Sequence, residues 1–273
     1  MPILAAPRTS STRKPSADCR NGDNVRTPAA SKDAQILVGC AGWALPAIAR
    51  DRFPDEGSIL QRYAAKLPAV EINSSFYRPH RPSTYARWAD SVPATFRFSV
   101  KVPKAITHEA RLIGTAALLD ACIGEVSALG PRLGCLLVQL PPSLVFDAAI
   151  ADAFFGALRD RYAGMAVFEP RHPTWFTSDA ERLLVAHHVA RVAADPAISL
   201  EASEPGGWPG VVYYRLHGSP RVYYSTYDGA YLDRLACKLR AHARAGTTAF
   251  CIFDNTALGE ATLNALDMQA AVK

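Results

Sequence analysis

The chain has 273 residues, a net charge of +5, 49% hydrophobic residues and 20% charged residues. This composition excludes a mainly disordered chain, and no apolar run approaches the roughly 20 residues that a membrane-spanning helix needs. Residues 1–35 hold six basic and three acidic residues, so the remainder is nearly neutral, which argues against a nucleic-acid binder that relies on bulk charge.

Residues 1–35 are rich in Ser, Thr, Pro, Ala and Arg and lack periodicity, so we predict a disordered basic tail. The apolar stretch Ile3–Ala6 ends at Pro7 and is too short for a signal peptide. We therefore expect a cytoplasmic protein with no membrane partner. The six cysteines are scattered, without a Cys-x-x-Cys pair, and we predict core thiols in preference to disulfides or a zinc site.

From Ile36 onward, short apolar runs alternate with amphipathic segments. Eight runs predict strands: Ile36–Cys40, Ala69–Asn73, Phe96–Lys101, Gly134–Leu140, Met165–Glu169, Val189–Asp195, Val211–His217 and Thr248–Asp254. Seven segments, several with Ser or Asp at the start, predict helices: Ser58–Lys66, Ser83–Asp90, Thr115–Leu129, Asp147–Arg161, Ser178–His187, Asp228–Ala245 and Leu258–Ala270. The segment 197–210 is rich in Gly and Pro and predicts a loop.

This alternation predicts an α/β fold, a single TIM-type (β/α)8 barrel over residues 36–273 that is irregular around the sixth crossover. Neither Gly-x-Gly-x-x-Gly nor Gly-x4-Gly-Lys-Ser/Thr occurs, so nucleotide cofactors bound by those motifs are not expected.

Polar side chains lie at the carboxyl ends of the predicted strands, where TIM barrels place their ligands. Residues two apart on a strand share a face. On this rule the lumen is predicted to receive cations and anions in equal number, namely Arg97, Lys101, Arg171 and Arg215 with Glu71, Glu169, Asp195 and Asp254. An ion-pair network that fixes barrel register is the alternative, but buried pairs stabilise poorly and we favour a functional site.

The candidate catalytic residues are Glu169, His217 and His172, with ordinary loop histidines as the alternative for the latter two. Substrate binding is predicted for Glu71, Asn73, Tyr77, Lys101, Gln139, Arg171, Trp175, Arg215, Asp254 and Asn255. Of these, Lys101, Arg171 and Arg215 suit an anion, and the aromatic residues either stack a ligand or anchor loops. No cofactor is predicted. A divalent metal is a disfavoured alternative, because the neighbouring Lys and Arg would neutralise its carboxylate ligands.

The ordered motifs resemble one family, domain of unknown function 72, the YecE-like proteins. The matching segments are Gly39–Trp43, Val70–Tyr77, Phe96–Lys101, Ile106–His108, Gln139–Pro142, Phe168–Trp175, Arg215–Gly218 and Phe253–Thr256. The resemblance implies a TIM-type barrel and no established reaction.

The leading hypothesis is an enzyme, either a hydrolase, a lyase or an isomerase, that acts on a small anionic polar molecule such as a phosphorylated or carboxylated sugar. A nucleic-acid-binding protein or metal-dependent phosphodiesterase or nuclease is one alternative. A non-catalytic metabolite-binding protein is the other. The oligomeric state is not indicated by the sequence.

Overall fold

The computed structural model describes residues 34–273. Its strands are β1 (Ile36–Ala41), β2 (Ala69–Ile72), β3 (Arg97–Lys101), β4 (Leu133–Gln139), β5 (Met165–Glu169), β6 (Val189–Arg191), β7 (Ala193–Asp195), β8 (Gly206–Gly207), β9 (Val211–Leu216) and β10 (Thr248–Phe253). They form one sheet in the order β7-β9-β10-β1-β2-β3-β4-β5-β6-β8. The predicted tail falls outside the described residues, apart from Ala34 and Gln35.

The sixth predicted strand closes the barrel by pairing on both sides. It divides at Val192: β6 pairs in parallel with β5, and β7 pairs in parallel with β9. The eight predicted runs therefore correspond to eight staves of a nearly closed barrel, and the two-residue β8 adds an antiparallel pair to β6. The TIM-type fold and its irregular sixth crossover are confirmed.

The helices are α1 (Ile59–Ala64), α2 (Ser74–Tyr77), α3 (Pro82–Asp90), α4 (Ala116–Val126), α5 (Ala148–Arg159), α6 (Ser178–Ala186), α7 (Gly229–Arg244) and α8 (Glu260–Ala271). Side chains of Ser58, Asp147 and Asp228 accept hydrogen bonds from the first turns of α1, α5 and α7, so these three predicted starts are confirmed as caps. The predicted starts Ser83 and Ser178 instead lie inside α3 and α6. Sequence reasoning missed the short α2. Among residues 34–273 no helix has the length and apolarity to span a bilayer.

Two apolar layers lie on opposite sides of the strands. The larger one packs the outer strand faces against the helices, and the smaller one fills the lumen with residues such as Leu37, Val167, Tyr213 and Ile252. The lumen is therefore packed below its mouth, which leaves space for polar groups at the carboxyl ends of the strands.

Two of the predicted lumen charges lie elsewhere. Ala190 and Val192 face the lumen, so alternation turns Asp195 outward, where its carboxylate accepts a hydrogen bond from Tyr227 at 2.8 Å. Arg97 begins β3 and donates to the carbonyl oxygens of nearby loop residues. It therefore lies at the end of the barrel opposite the mouth.

Candidate functional site

A cluster of charged side chains occupies the barrel mouth. It is defined by seven residues that end or directly follow lumen-facing strand positions: Glu71, Lys101, Glu169, Arg171, Arg215, His217 and Asp254. The alternation rule predicted each of them, and the barrel closure brings them together. We call this set the mouth cluster.

Arg215 is the centre of the mouth cluster. Its Nε and Nη2 contact both oxygens of Glu71, with the shortest distance 2.7 Å. Nη1 donates to Glu169 at 3.2 Å and Nη2 lies 3.1 Å from Asp254. The side chain is 2% exposed. Three carboxylates already surround its guanidinium, which argues against a substrate anion at Arg215, and that predicted role stays a prediction.

Glu71 likewise has no capacity left for a substrate. One of its oxygens also accepts a hydrogen bond from Tyr213 at 2.7 Å, and the Tyr213 hydroxyl lies 3.0 Å from Ser99. Glu71 is fully buried. It therefore holds the Arg215 guanidinium in place, and its predicted role in orienting substrate hydroxyls stays a prediction that these contacts do not favour.

His217 lies between two carboxylates in the same cluster. Its Nδ1 is 2.9 Å from Asp254, and its Nε2 is 3.0 Å from Glu169 and 2.6 Å from the guanidinium of Arg171. A proton on Nδ1 satisfies the aspartate, whereas Nε2 faces both a donor, Arg171, and an acceptor, Glu169. Arg171 also forms an ion pair with Glu169.

The arginines keep the buried carboxylates ionised. Burial alone raises the pKa of Glu169, but Arg171, Arg215 and His217 together outweigh it and hold that pKa well below its usual range. Burial likewise raises the pKa of Asp254, and Arg215 and His217 reverse the shift and lower it. Both groups are thus hydrogen-bond acceptors at neutral pH, and neither is a general acid in this state.

Lys101 differs from the arginines because it has no anionic partner. Among residues 34–273 no carboxylate pairs with its ammonium, which instead lies 4.1 Å from the centre of the Phe76 ring. The residue is 9% exposed. Burial and the positive charge of Arg215 lower the pKa of Lys101 to about 8, against the opposing pull of the carboxylates.

The remaining candidates lie outside the mouth cluster. His172 caps the short 3-10 helix Pro173–Trp175, and its Nδ1 lies 2.9 Å from the Thr174 hydroxyl. Trp175 is buried, and its Nε1 donates to the Leu144 carbonyl at 2.9 Å. Asn255 donates to Ser225 and Asn264, which ties two loops together. These contacts give the three side chains a structural role in the loops, and their predicted catalytic or binding roles stay predictions.

Three more candidates lie at the rim. Tyr77 is 72% exposed and contacts Phe76 edge to face. Gln139 pairs in register with Glu169 and donates to the neighbouring carbonyl of Leu140. Asn73 keeps a buried side-chain oxygen without a partner among the described residues.

Sequence reasoning missed two aromatic residues of the mouth. Phe76 supports the Lys101 ammonium, and Tyr223 lies edge to face with the His217 ring at 6.1 Å between centroids. Phe76 belongs to α2 and Tyr223 to the loop after β9, where strand alternation does not apply. Their only sequence signal is an aromatic residue shortly after a strand ends.

A metal site finds little support in the donor set. Within the part of the chain that the structure describes, no group of three or more His, Cys, Asp or Glu side chains is arranged to hold a metal ion. The carboxylates of the mouth cluster instead contact arginine. Four of the five described cysteines are buried, and Cys19 lies outside the described residues.

Solved structures share this architecture. A crystal structure of a DUF72 family protein from Enterococcus faecalis superposes with a TM-score of 0.72 at 20% identity, covering 87% of this chain and 95% of that one. One from Thermotoga maritima gives 0.70 at 22% identity, covering 86% and 98%. At these identities the likeness shows the fold.

Sequence comparison identifies the family. UPF0759 protein YecE of Escherichia coli (strain K12) is 30% identical over 148 residues, which are 54% of this chain and 52% of that protein. The chain thus spans about half the length of the curated relative it matches. The family model described as "Protein of unknown function DUF72" matches residues 37–273. The chain therefore belongs to the DUF72 family.

Proposed function

We propose that this protein is an enzyme that moves protons at the barrel mouth, acting as a hydrolase, lyase or isomerase on a small anionic polar substrate such as a phosphorylated or carboxylated sugar. The observation that supports this is the buried His217, held by Asp254 on one nitrogen and facing Glu169 and Arg171 with the other. An imidazole oriented in this way is a common general acid or base.

The groups around His217 have distinct roles in this proposal. Asp254 holds the Nδ1 proton, so that Nε2 is the atom that accepts a proton from the substrate. Arg171 covers Nε2. A substrate anion that attracts the partly exposed Arg171 guanidinium uncovers the lone pair as the substrate binds.

Two cations attract the substrate. Arg171 has a side chain that is 21% exposed and a buried Nε without a partner among residues 34–273. Lys101 adds a second positive charge that no described carboxylate neutralises. Together they take over the anion-binding role predicted for three cations, since Arg215 is occupied.

A thermal-shift and turnover screen tests the proposal. The purified protein is screened against sugar phosphates, sugar acids, divalent metals and single-stranded oligonucleotides at two salt concentrations. A true ligand raises the melting temperature with the logarithm of its excess over the dissociation constant. Compounds that stabilise the protein are then assayed for conversion by mass spectrometry.

Variants of two histidines make the screen specific. His217→Asn is expected to lower turnover by roughly 10²- to 10⁴-fold. His187→Asn is the matched control, because His187 also pairs with a carboxylate, Asp152 at 2.7 Å, but on the helix layer. Unchanged turnover in His217→Asn contradicts the assigned role. Stabilisation without turnover favours a metabolite-binding protein, and salt-sensitive stabilisation by oligonucleotides alone favours nucleic-acid binding.

A further inference from the structure

We propose that Lys101 is an imine-forming nucleophile, so that the substrate of the mouth cluster is a small anionic aldehyde or ketone, such as a 2-oxo acid or the open-chain form of a sugar phosphate. The inference rests on the proposed function, and it narrows the substrate class by adding a covalent step at one named atom.

Lys101 takes part in no ion pair among the described residues. The three mouth carboxylates are matched by arginine: Arg215 contacts all of them, and Arg171 contacts Glu169. Among residues 34–273 no carboxylate pairs with the lysine ammonium. If the cluster served barrel register alone, this cation would add desolvation without a compensating partner.

The amine of Lys101 lies at the carboxyl end of a lumen-facing strand position. Lys101 is the last residue of β3, on the lumen-facing side, and its side chain lies over the Phe76 ring with its Nζ 4.1 Å from the ring centre. The residue is 9% exposed, and its Nζ is not among the fully buried unpartnered atoms. The nitrogen is therefore sheltered and still reachable from the mouth.

The electrostatic surroundings keep part of this amine neutral. Burial and Arg215 lower the pKa of Lys101 to about 8, and desolvation with a neighbouring cation is a known way to activate a lysine. About a tenth of the amines are then neutral at pH 7, roughly 300-fold more than for an ordinary lysine. The charged groups that face this amine are Arg215, Glu71, Glu169, Asp254 and His108.

The step balances with the groups present. The neutral Nζ forms a bond to the carbonyl carbon and the C–O bond breaks. The oxygen leaves as one water molecule, which carries the two amine protons, and no oxidant or reductant is needed. Arg171 holds the phosphate or carboxylate of the substrate, and His217 with Glu169 lies in the same mouth to relay the protons.

Reductive trapping tests the proposal. The full chain is incubated at pH 7 with pyruvate, dihydroxyacetone phosphate or formaldehyde, reduced with sodium borohydride and mapped by peptide mass spectrometry. The chain has seven lysines, so the modified position is unambiguous. Formaldehyde is included because it is the smallest carbonyl compound and is the least hindered by a narrow mouth. We expect Lys101 to be modified about a hundredfold faster than Lys104, with labelling that rises from pH 7 to about 8 and then levels off.

Variants separate the imine from anion binding. Lys101→Arg keeps a positive charge and Lys101→Met keeps the side-chain length, and both are expected to lose the adduct at this position. Lys104→Met, which alters an exposed lysine paired with Glu109 at 2.9 Å, is expected to keep it. Melting curves of all variants establish that they fold.

The outcomes distinguish the two proposals. Labelling at Lys101 no faster than at Lys104 with every probe overturns the imine, while anions that still stabilise the protein leave the proton-transfer function standing. A Lys101 adduct together with unchanged turnover in His217→Asn supports the imine and contradicts the role of the histidine.

Discussion

Lys101 and Arg215 show how the number of partners decides what a buried cation can do. Arg215 has carboxylates at Nε, Nη1 and Nη2, and their negative charges overcome burial and raise its pKa well above the usual value. Lys101 lies in the same cluster without such a partner, and burial lowers its pKa to about 8. Arg215 therefore stabilises the mouth cluster, whereas the charged form of Lys101 is destabilised there and is available to a ligand.

This difference predicts that removing Lys101 stabilises the protein. Lys101→Met is expected to raise the free energy of unfolding at pH 7 by up to roughly 3 kcal/mol, because a pKa lowered from 10.5 to about 8 disfavours the charged form in the folded state. Between pH 8 and 10.5 the unfolded wild type binds more protons than the folded one, so wild-type stability rises there and the advantage of the variant shrinks.

Urea unfolding at pH 7 and pH 9.5 measures this effect. Lys104→Met serves as the control, since that lysine is exposed and paired with Glu109, and surface pairs contribute little. A Lys101→Met variant that is less stable than wild type at pH 7 would show that the ammonium balances the carboxylates after all.

β1 and β2 are joined by hydrogen bonds to a helix side chain in addition to their backbone ladder. Tyr63 of α1 reaches between them: its hydroxyl accepts a hydrogen bond from the Cys40 amide at 2.8 Å and donates to the Ala69 carbonyl at 2.9 Å. Gly39 lies opposite Ala69 in the register. The close approach fixes β2, and therefore positions Glu71 beneath Arg215.

Gly39→Ala tests this close approach. An added Cβ would lie 2.1 Å from the Ala69 carbonyl oxygen, so the two strands must separate, and overpacking of this kind costs about 1–3 kcal/mol or more. Gly124→Ala in α4 is the matched control, because nothing lies within 4 Å of its added Cβ. That control should gain roughly 0.5–1 kcal/mol from helix propensity. Equal stability of the two variants in urea unfolding would refute the tight junction.

At the scale of the whole molecule, hydrophobic alternation was enough to predict the barrel and most of its mouth. Each apolar run became a stave, and the two-residue period led from apolar lumen positions to Glu169 and Arg215. The rule failed at Asp195, because apolar residues occupy both faces of the sixth stave and the inward face cannot be read from them. It does not extend to His172 and Asn255, where the chain has left the strand.

The sequence does not indicate which of the buried cations form ion pairs. Arg215 contacts carboxylates with its donors whereas Lys101 forms no ion pair among the described residues, and this difference depends on distances between strands far apart in the chain. The short α2, which carries Phe76, depends on how the chain packs after β2, and no hydrophobic period in the sequence indicates it. The reaction is a further step removed, since one barrel supports many chemistries.

The buried carboxylates predict how the whole molecule responds to acid. The pKa values of Glu169 and Asp254 are lowered in the folded protein, from ordinary values of 4.5 and 3.8. Their contribution to stability is therefore complete above those ordinary values and is lost as the pH falls through the folded pKa values, because the unfolded chain binds protons first. We expect the free energy of unfolding to decline steeply below about pH 4.5.

Glu169→Gln should flatten that decline. Removing one such carboxylate lowers the slope by up to about 1.4 kcal/mol per pH unit, whatever the variant does to absolute stability. Urea unfolding between pH 3 and pH 6 gives the slope, with Asp120→Asn as the control, because Asp120 is exposed and its charge stays in water in both states. A slope that is the same in Glu169→Gln as in wild type would mean that Arg171 and Arg215 do not hold this carboxylate ionised. The charges assigned to the mouth cluster would then be wrong.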